Sequence, residues 1–113
     1  MYKVRFAHKA ERDLREAKDY IAKHLLNPEA AYRLLDSTQK AVDSLSVFPK
    51  RNPLVREPLI ASQGIRWTQV QQYLLFYTVE ESEKTVIVLH FLSARQDWKR
   101  LLGESNNGFL PRS

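Results

Sequence analysis

The chain has 113 residues, of which 43% are hydrophobic; this suits one globular domain with its own core and argues against disorder. There is no cysteine, so disulfides and thiolate-ligated metals are excluded, and a cytoplasmic setting fits. With 18 Lys and Arg against 13 Asp and Glu, the net charge of +5 favours an acidic partner, nucleic acid or protein.

His8, His24 and His90 are scattered, and no metal site is expected from them. No apolar run approaches the roughly 18 residues a membrane span requires. The opening MYKVRFAHKAERD does not read as a signal peptide.

Tyr2 to Ala7 alternates Tyr2, Val4 and Phe6 with Lys3 and Arg5, the pattern of a half-buried strand suited to a sheet edge. From Lys9 the period changes. Ala10, Leu14, Ala17, Ile21 and Leu25 form one helical stripe, supported by the acid-before-base pairs Glu11/Arg15 and Asp19/Lys23. Asn27-Pro28-Glu29 restarts a helix: an N-cap, a proline at the first helical position and an acid in the first turn. Its stripe is Ala31, Leu34, Leu35, Thr38, Val42, Leu45 and Phe48, and Pro49 stops it. The short link at Leu26-Asn27 predicts an antiparallel helix hairpin.

Pro49 to Gln63 holds Pro49, Pro53 and Pro58, loses its periodicity and reads as an irregular connector. Lys50, Arg51 and Arg56 make it basic, either as a solvated loop or as a contact to a polyanion.

Three strands are expected next: Ile65 to Val70, Tyr73 to Val79 or Glu80, and Thr85 to Leu92. In the middle one Tyr73, Leu75, Tyr77 and Val79 share a face, and Leu74, Phe76 and Thr78 the other. In the last, strict alternation sets Val86, Val88, His90 and Leu92 against Ile87, Leu89 and Phe91. Both faces are apolar, as in central strands. One face suits the hairpin; the other is expected to be concave and open to a partner. Trp98, Leu101 and Leu102 predict a short helix that Gly103 ends, with 104–113 as a flexible tail after a single domain of 1–103.

Several stretches carry a family resemblance. They are Leu14 with Tyr20-Ile21, Asn27-Pro28-Glu29-Ala30-Ala31, Leu45 to Phe48-Pro49, Gly64-Ile65-Arg66, Tyr73-Leu74-Leu75-Phe76-Tyr77 and Ala94-Arg95-Gln96-Asp97-Trp98. In this order they resemble the RelE/ParE superfamily, the toxins of bacterial type II toxin–antitoxin (addiction) modules, over about Tyr2 to Leu102. The resemblance implies an α+β fold, β-α-α-β-β-β, with the hairpin on one face of a small, mostly antiparallel sheet. It also implies a cognate antitoxin, expected as an acidic, amphipathic segment on the open face, and no cofactor.

Two activities occur in that superfamily. RelE-like members cut mRNA in the ribosomal A site; ParE-like members poison DNA gyrase. Metal-independent RNA cleavage needs a base, an acid and cations around the phosphate. Arg95 matches the RelE-like arginine ending the last strand. The other arginine position, after Tyr73, is Leu74, the C-terminal tyrosine position falls near Leu101, and the strand-two lysines are absent, with Arg66 and Trp67 present instead. Tyr73 to Tyr77 and the Arg-Gln-Asp-Trp ending look ParE-like, so gyrase inhibition is the favoured expectation. A nuclease would rest on Arg95, His90 and Arg66. Contacts to a partner or nucleic acid would come from Arg66, Tyr73, Tyr77, Arg95, Lys50, Arg51 and Arg56.

Overall fold

A computed structural model describes residues 1–106, and the side chains of 1–102. Strand β1 (Lys3–Phe6) leads into helix α1 (His8–Asp19), which continues as a single π-turn (Tyr20–His24). Helix α2 (Pro28–Val47) returns antiparallel. A short 3-10 turn (Pro49–Arg51) and helix α3 (Pro58–Ala61) precede β2 (Arg66–Val70), β3 (Tyr73–Glu80) and β4 (Thr85–Ser93), and α4 (Trp98–Asn106) follows. The sheet has four strands in the order β1-β4-β3-β2. β1 lies at the edge, parallel to β4, because the hairpin carries the chain across; the other pairs are antiparallel.

The local signals of the hairpin are realised. Asn27 Oδ1 accepts the Ala30 N–H at 3.1 Å, closing the start of α2. Ala10 and Ala17 of α1 and Ala31, Leu34 and Leu45 of α2 are buried, and the buried Thr38 hydroxyl donates to the Leu34 carbonyl at 2.8 Å. Leu25 departs from the stripe and is 57% exposed. The π-turn explains this: the Leu25 N–H reaches back five residues to Tyr20, and the wider turn rotates Leu25 off the face that Ile21 occupies. Phe48 is also exposed, since α2 ends at Val47.

The last strand does not alternate throughout. Tyr77 pairs with Val88 but Phe76 pairs with His90, so Leu89 is an extra residue in a β-bulge. Val86, Val88 and then Phe91 join the hairpin-side core, while Leu92 joins the opposite one with Leu74 and Phe76. The expectation that Leu92 shares the face of Val86 and Val88 is therefore corrected, and His90 falls at the switch.

The far face of the sheet is not left open. Val55, Ile60 and Ile65 from the connector and Leu102 from α4 are buried against Leu74, Phe76 and Leu92, with Trp67 and Trp98 at the margin. The supposed irregular connector is thus a second packing layer. It runs beside β2, with Val55 N–H donating to Ile65 and Trp67 N–H to Pro53. Gly64, at φ +75°, turns the chain from α3 into β2 in a conformation most side chains disfavour. Helix α4 runs through Gly103 to Asn106, so Gly103 does not end it, and 107–113 of the expected tail lie outside the described residues.

One contact joins the two halves. β1 stops at Phe6 while β4 continues to Ser93, leaving the edge beyond Val88 without a strand. The buried carboxylate of Asp13, from α1, takes the Phe91 N–H at 3.1 Å and is bound by Lys9 Nζ at 2.6 Å. Asp13→Ala orphans a buried N–H and a cation, and is expected to cost about 2–4 kcal/mol in urea denaturation. Asp36→Ala, which breaks an exposed pair with Lys40, is expected to stay within about 0.5 kcal/mol of the parent.

Candidate partner and nucleic-acid interface

The residues singled out by sequence fall at two ends of the sheet. Arg66 is in register with Tyr77, whereas Tyr73 is in register with Ser93, two residues before Arg95. Four steps along β3 separate these levels, about 13 Å at ~3.3 Å per residue.

At the first end the groups are occupied. The Arg66 guanidinium donates to the Asn52 carbonyl at 2.7 Å and the Lys50 carbonyl at 3.2 Å, tying the connector to β2. Tyr77 is 0% exposed; its hydroxyl donates to the Pro49 carbonyl at 2.5 Å and accepts from Asn52 Nδ2 at 3.1 Å. Burial pushes the phenol pKa up, against the opposing pull of Asn52, Arg66 and Arg51. Lys50 pairs with Glu81 at 3.0 Å, and Arg51 donates to the Ser44 hydroxyl. Glu81 also accepts from Tyr2 and Lys84, and these partners hold its pKa down at about 2, with Lys50 foremost. Arg56 stands apart on the exposed connector.

At the other end a cleft of about 820 Å³ opens between α1 with its π-turn and the ends of β3 and β4. Tyr73, His90 and Arg95 all line it. Tyr73 stacks on Phe91 with centroids 5.0 Å apart, and burial, then Tyr20, raises its pKa. Arg95 is exposed and makes no ion pair with a described residue. His90 is only 4% exposed, and its ring makes no hydrogen bond to a described residue; Nδ1 lies 4.0 Å from the Asp13 carboxylate. Burial lowers its pKa, Asp13 raises it less, and Lys9 lowers it further. Sequence reasoning passed over Lys9, Asp13, Glu16 and Tyr20 on the facing wall. A signal existed for Asp13: with Ala10 and Ala17 it falls at helical spacing on the buried stripe, where a carboxylate needs partners. A smaller groove of about 210 Å³, lined by Trp67, Gln69, Leu74, Phe76 and Trp98, remains on the far face.

This architecture recurs in solved structures. The toxin-like chain of the chromosomal ParDE system of P. aeruginosa is 18% identical, covering 82% of this chain and 96% of that one with a TM-score of 0.65. A chain of the RelBE2 toxin–antitoxin complex of Mycobacterium tuberculosis is 27% identical over 81% of this chain and 90% of that one, with a TM-score of 0.57. One from the intact E. coli RelBE complex is 17% identical over 85% and 100%, with a TM-score of 0.55. No curated protein matches by sequence. The fold is that of the RelE/ParE toxins. The model of the ParE toxin of type II toxin–antitoxin systems (parDE) matches residues 4–98, and the chain belongs to that family. Among the described residues, no helix is long and apolar enough to cross a membrane.

Two measurements check these assignments. Arg66→Ala is expected to lower stability by about 1–3 kcal/mol through its lost carbonyl contacts, and Arg95→Ala to change it by less than about 0.5 kcal/mol, both read by urea melts. The second is a pH profile. His90 is harder to protonate folded than unfolded, so its contribution is complete above the unfolded value of about 6.5 and is lost as pH falls toward the lowered folded value. Wild type is expected to lose more stability than His90→Gln between pH 7.5 and 5.

Proposed function

We propose that this toxin stops growth by binding DNA gyrase in the cytoplasm and is silenced by a cognate protein antitoxin. The supporting observation is the separation of Arg66 from Arg95. Hydrolytic or transesterifying attack on RNA requires an acid, a base and cations converging on one phosphate. Here Arg66 is bound to backbone carbonyls, about 13 Å along the sheet from the cleft that holds Arg95. His90 is buried beside Asp13 in its neutral-favouring environment. A surface that recognises a protein target needs no such convergence. The ParDE and RelBE complexes among the solved relatives support an antitoxin for this chain as well.

The alternative is a ribosome-dependent endoribonuclease. One observation favours it: Tyr73, His90 and Arg95 share one cleft. Purified chain in a gyrase supercoiling and cleavage-complex assay, beside toeprinting on programmed ribosomes, separates the two. Trapped gyrase–DNA complexes with unbroken mRNA are the expected result. Codon-phased mRNA cuts with normal supercoiling would overturn it.

A further inference from the structure

The large cleft has a composition that selects its occupant. Its α1 wall runs from Lys9 to Leu25, about 24 Å at ~1.5 Å per residue. Apolar groups, among them Ile21, Tyr73 and Leu101, cover much of the lining. Lys9 is spent on Asp13, and Glu16 adds a second carboxylate to the same wall, so the cations do not form a phosphate track. Arg95 alone among the lining cations has no carboxylate partner within the described residues. The buried His90 ring faces the cleft with neither nitrogen hydrogen-bonded to a described residue, a debt that a bound polar group would cancel.

We propose that this cleft, rather than the far sheet face, seats the neutralising segment of the antitoxin. The occupant is an amphipathic helix of about four turns. Its apolar side lies on Ile21 and Tyr73, a polar side chain reaches His90, and a carboxylate meets Arg95. The proposal rests on the reading of this chain as a toxin held by a protein antitoxin. A nucleic-acid strand suits the cleft poorly, because Asp13 and Glu16 would face its phosphates.

The test uses the full chain and its purified cognate antitoxin. Tyr20 and Leu25 are 49% and 57% exposed at the cleft mouth, so Tyr20→Glu with Leu25→Glu leaves the core intact. The control is Val47→Glu with Phe48→Glu, which are as exposed but do not line the cleft. The cleft variant is expected to bind at least 100-fold more weakly in titration calorimetry, and the control within threefold of wild type. In the wild-type complex the His90 ring resonances shift. A cleft variant that binds within threefold of wild type, or His90 resonances unmoved on binding, overturns the cleft assignment alone. A wild-type chain that binds no antitoxin and inhibits no growth overturns the toxin reading with it.

Discussion

The structure depends on a carboxylate doing the work of a missing strand. β1 gives β4 a parallel partner only as far as Phe6 opposite Val88. Beyond that point the chain has already turned into α1, whose Asp13 reaches down to the Phe91 N–H. A buried carboxylate is costly unless its charge is met. Lys9, one turn earlier on the same helix and half exposed, meets it while keeping contact with water. The helix is thereby fixed over the end of the sheet at an angle that a purely apolar contact, being non-directional, would not specify. The cleft follows from this arrangement: helix and sheet are joined at Asp13 and diverge toward the π-turn, and the opening lies between them.

The bulge at Leu89 works with that joint. An extra residue advances β4 by one step, so the strand that feeds Val86 and Val88 to the hairpin side delivers Phe91 there and Leu92 to the other. His90 is left between two cores, apolar on both sides, with only a carboxylate at 4.0 Å as a polar neighbour. The second core owes its existence to segments of little regularity. Val55, Ile60 and Ile65 lie on a proline-broken connector, yet each is as buried as a strand residue. They are fixed by backbone bonds to the β2 edge and by the Arg66 guanidinium, which gathers the Lys50 and Asn52 carbonyls.

What was legible in the sequence was local. The period-two run at Tyr2 to Phe6, the stripes of α1 and α2 and the Asn27-Pro28 restart depend on neighbours within a few residues, and they fold as read. The misreadings arise where distant residues decide. Strict alternation past Val88 failed because a bulge is a bargain between strands, invisible in either alone. The connector was taken as irregular because Val55, Ile60 and Ile65 have no period, although burial asks only for a fit against Leu74 and Phe76. Leu25 was misplaced by a π-turn, a rotation with no mark in hydropathy. Arg66 shows the same limit for the site: a cation reads as available when its partners are backbone carbonyls, which every sequence contains everywhere.

The same distinction decides what the charge of +5 means for function. Much of it is dispersed in local pairs. Lys9 serves Asp13, Lys40 serves Asp36, Arg33 serves Glu29, and Lys50 and Lys84 share Glu81. Surface pairs of this kind contribute little to stability, but they remove the field that a continuous basic stripe would project. The cations without an ion pair to a described residue, such as Lys3, Arg5, Arg56 and Arg95, lie on different elements instead of tracking a groove. A nuclease acting on a polyanion gains from focusing its charge on one cleft, since that raises both encounter rate and transition-state stabilisation. A toxin that recognises a folded protein gains from isolated charges set among apolar ground, where each can specify one partner group. The distribution of charge on this chain is of the second kind, and it supports target binding over catalysis independently of any family resemblance.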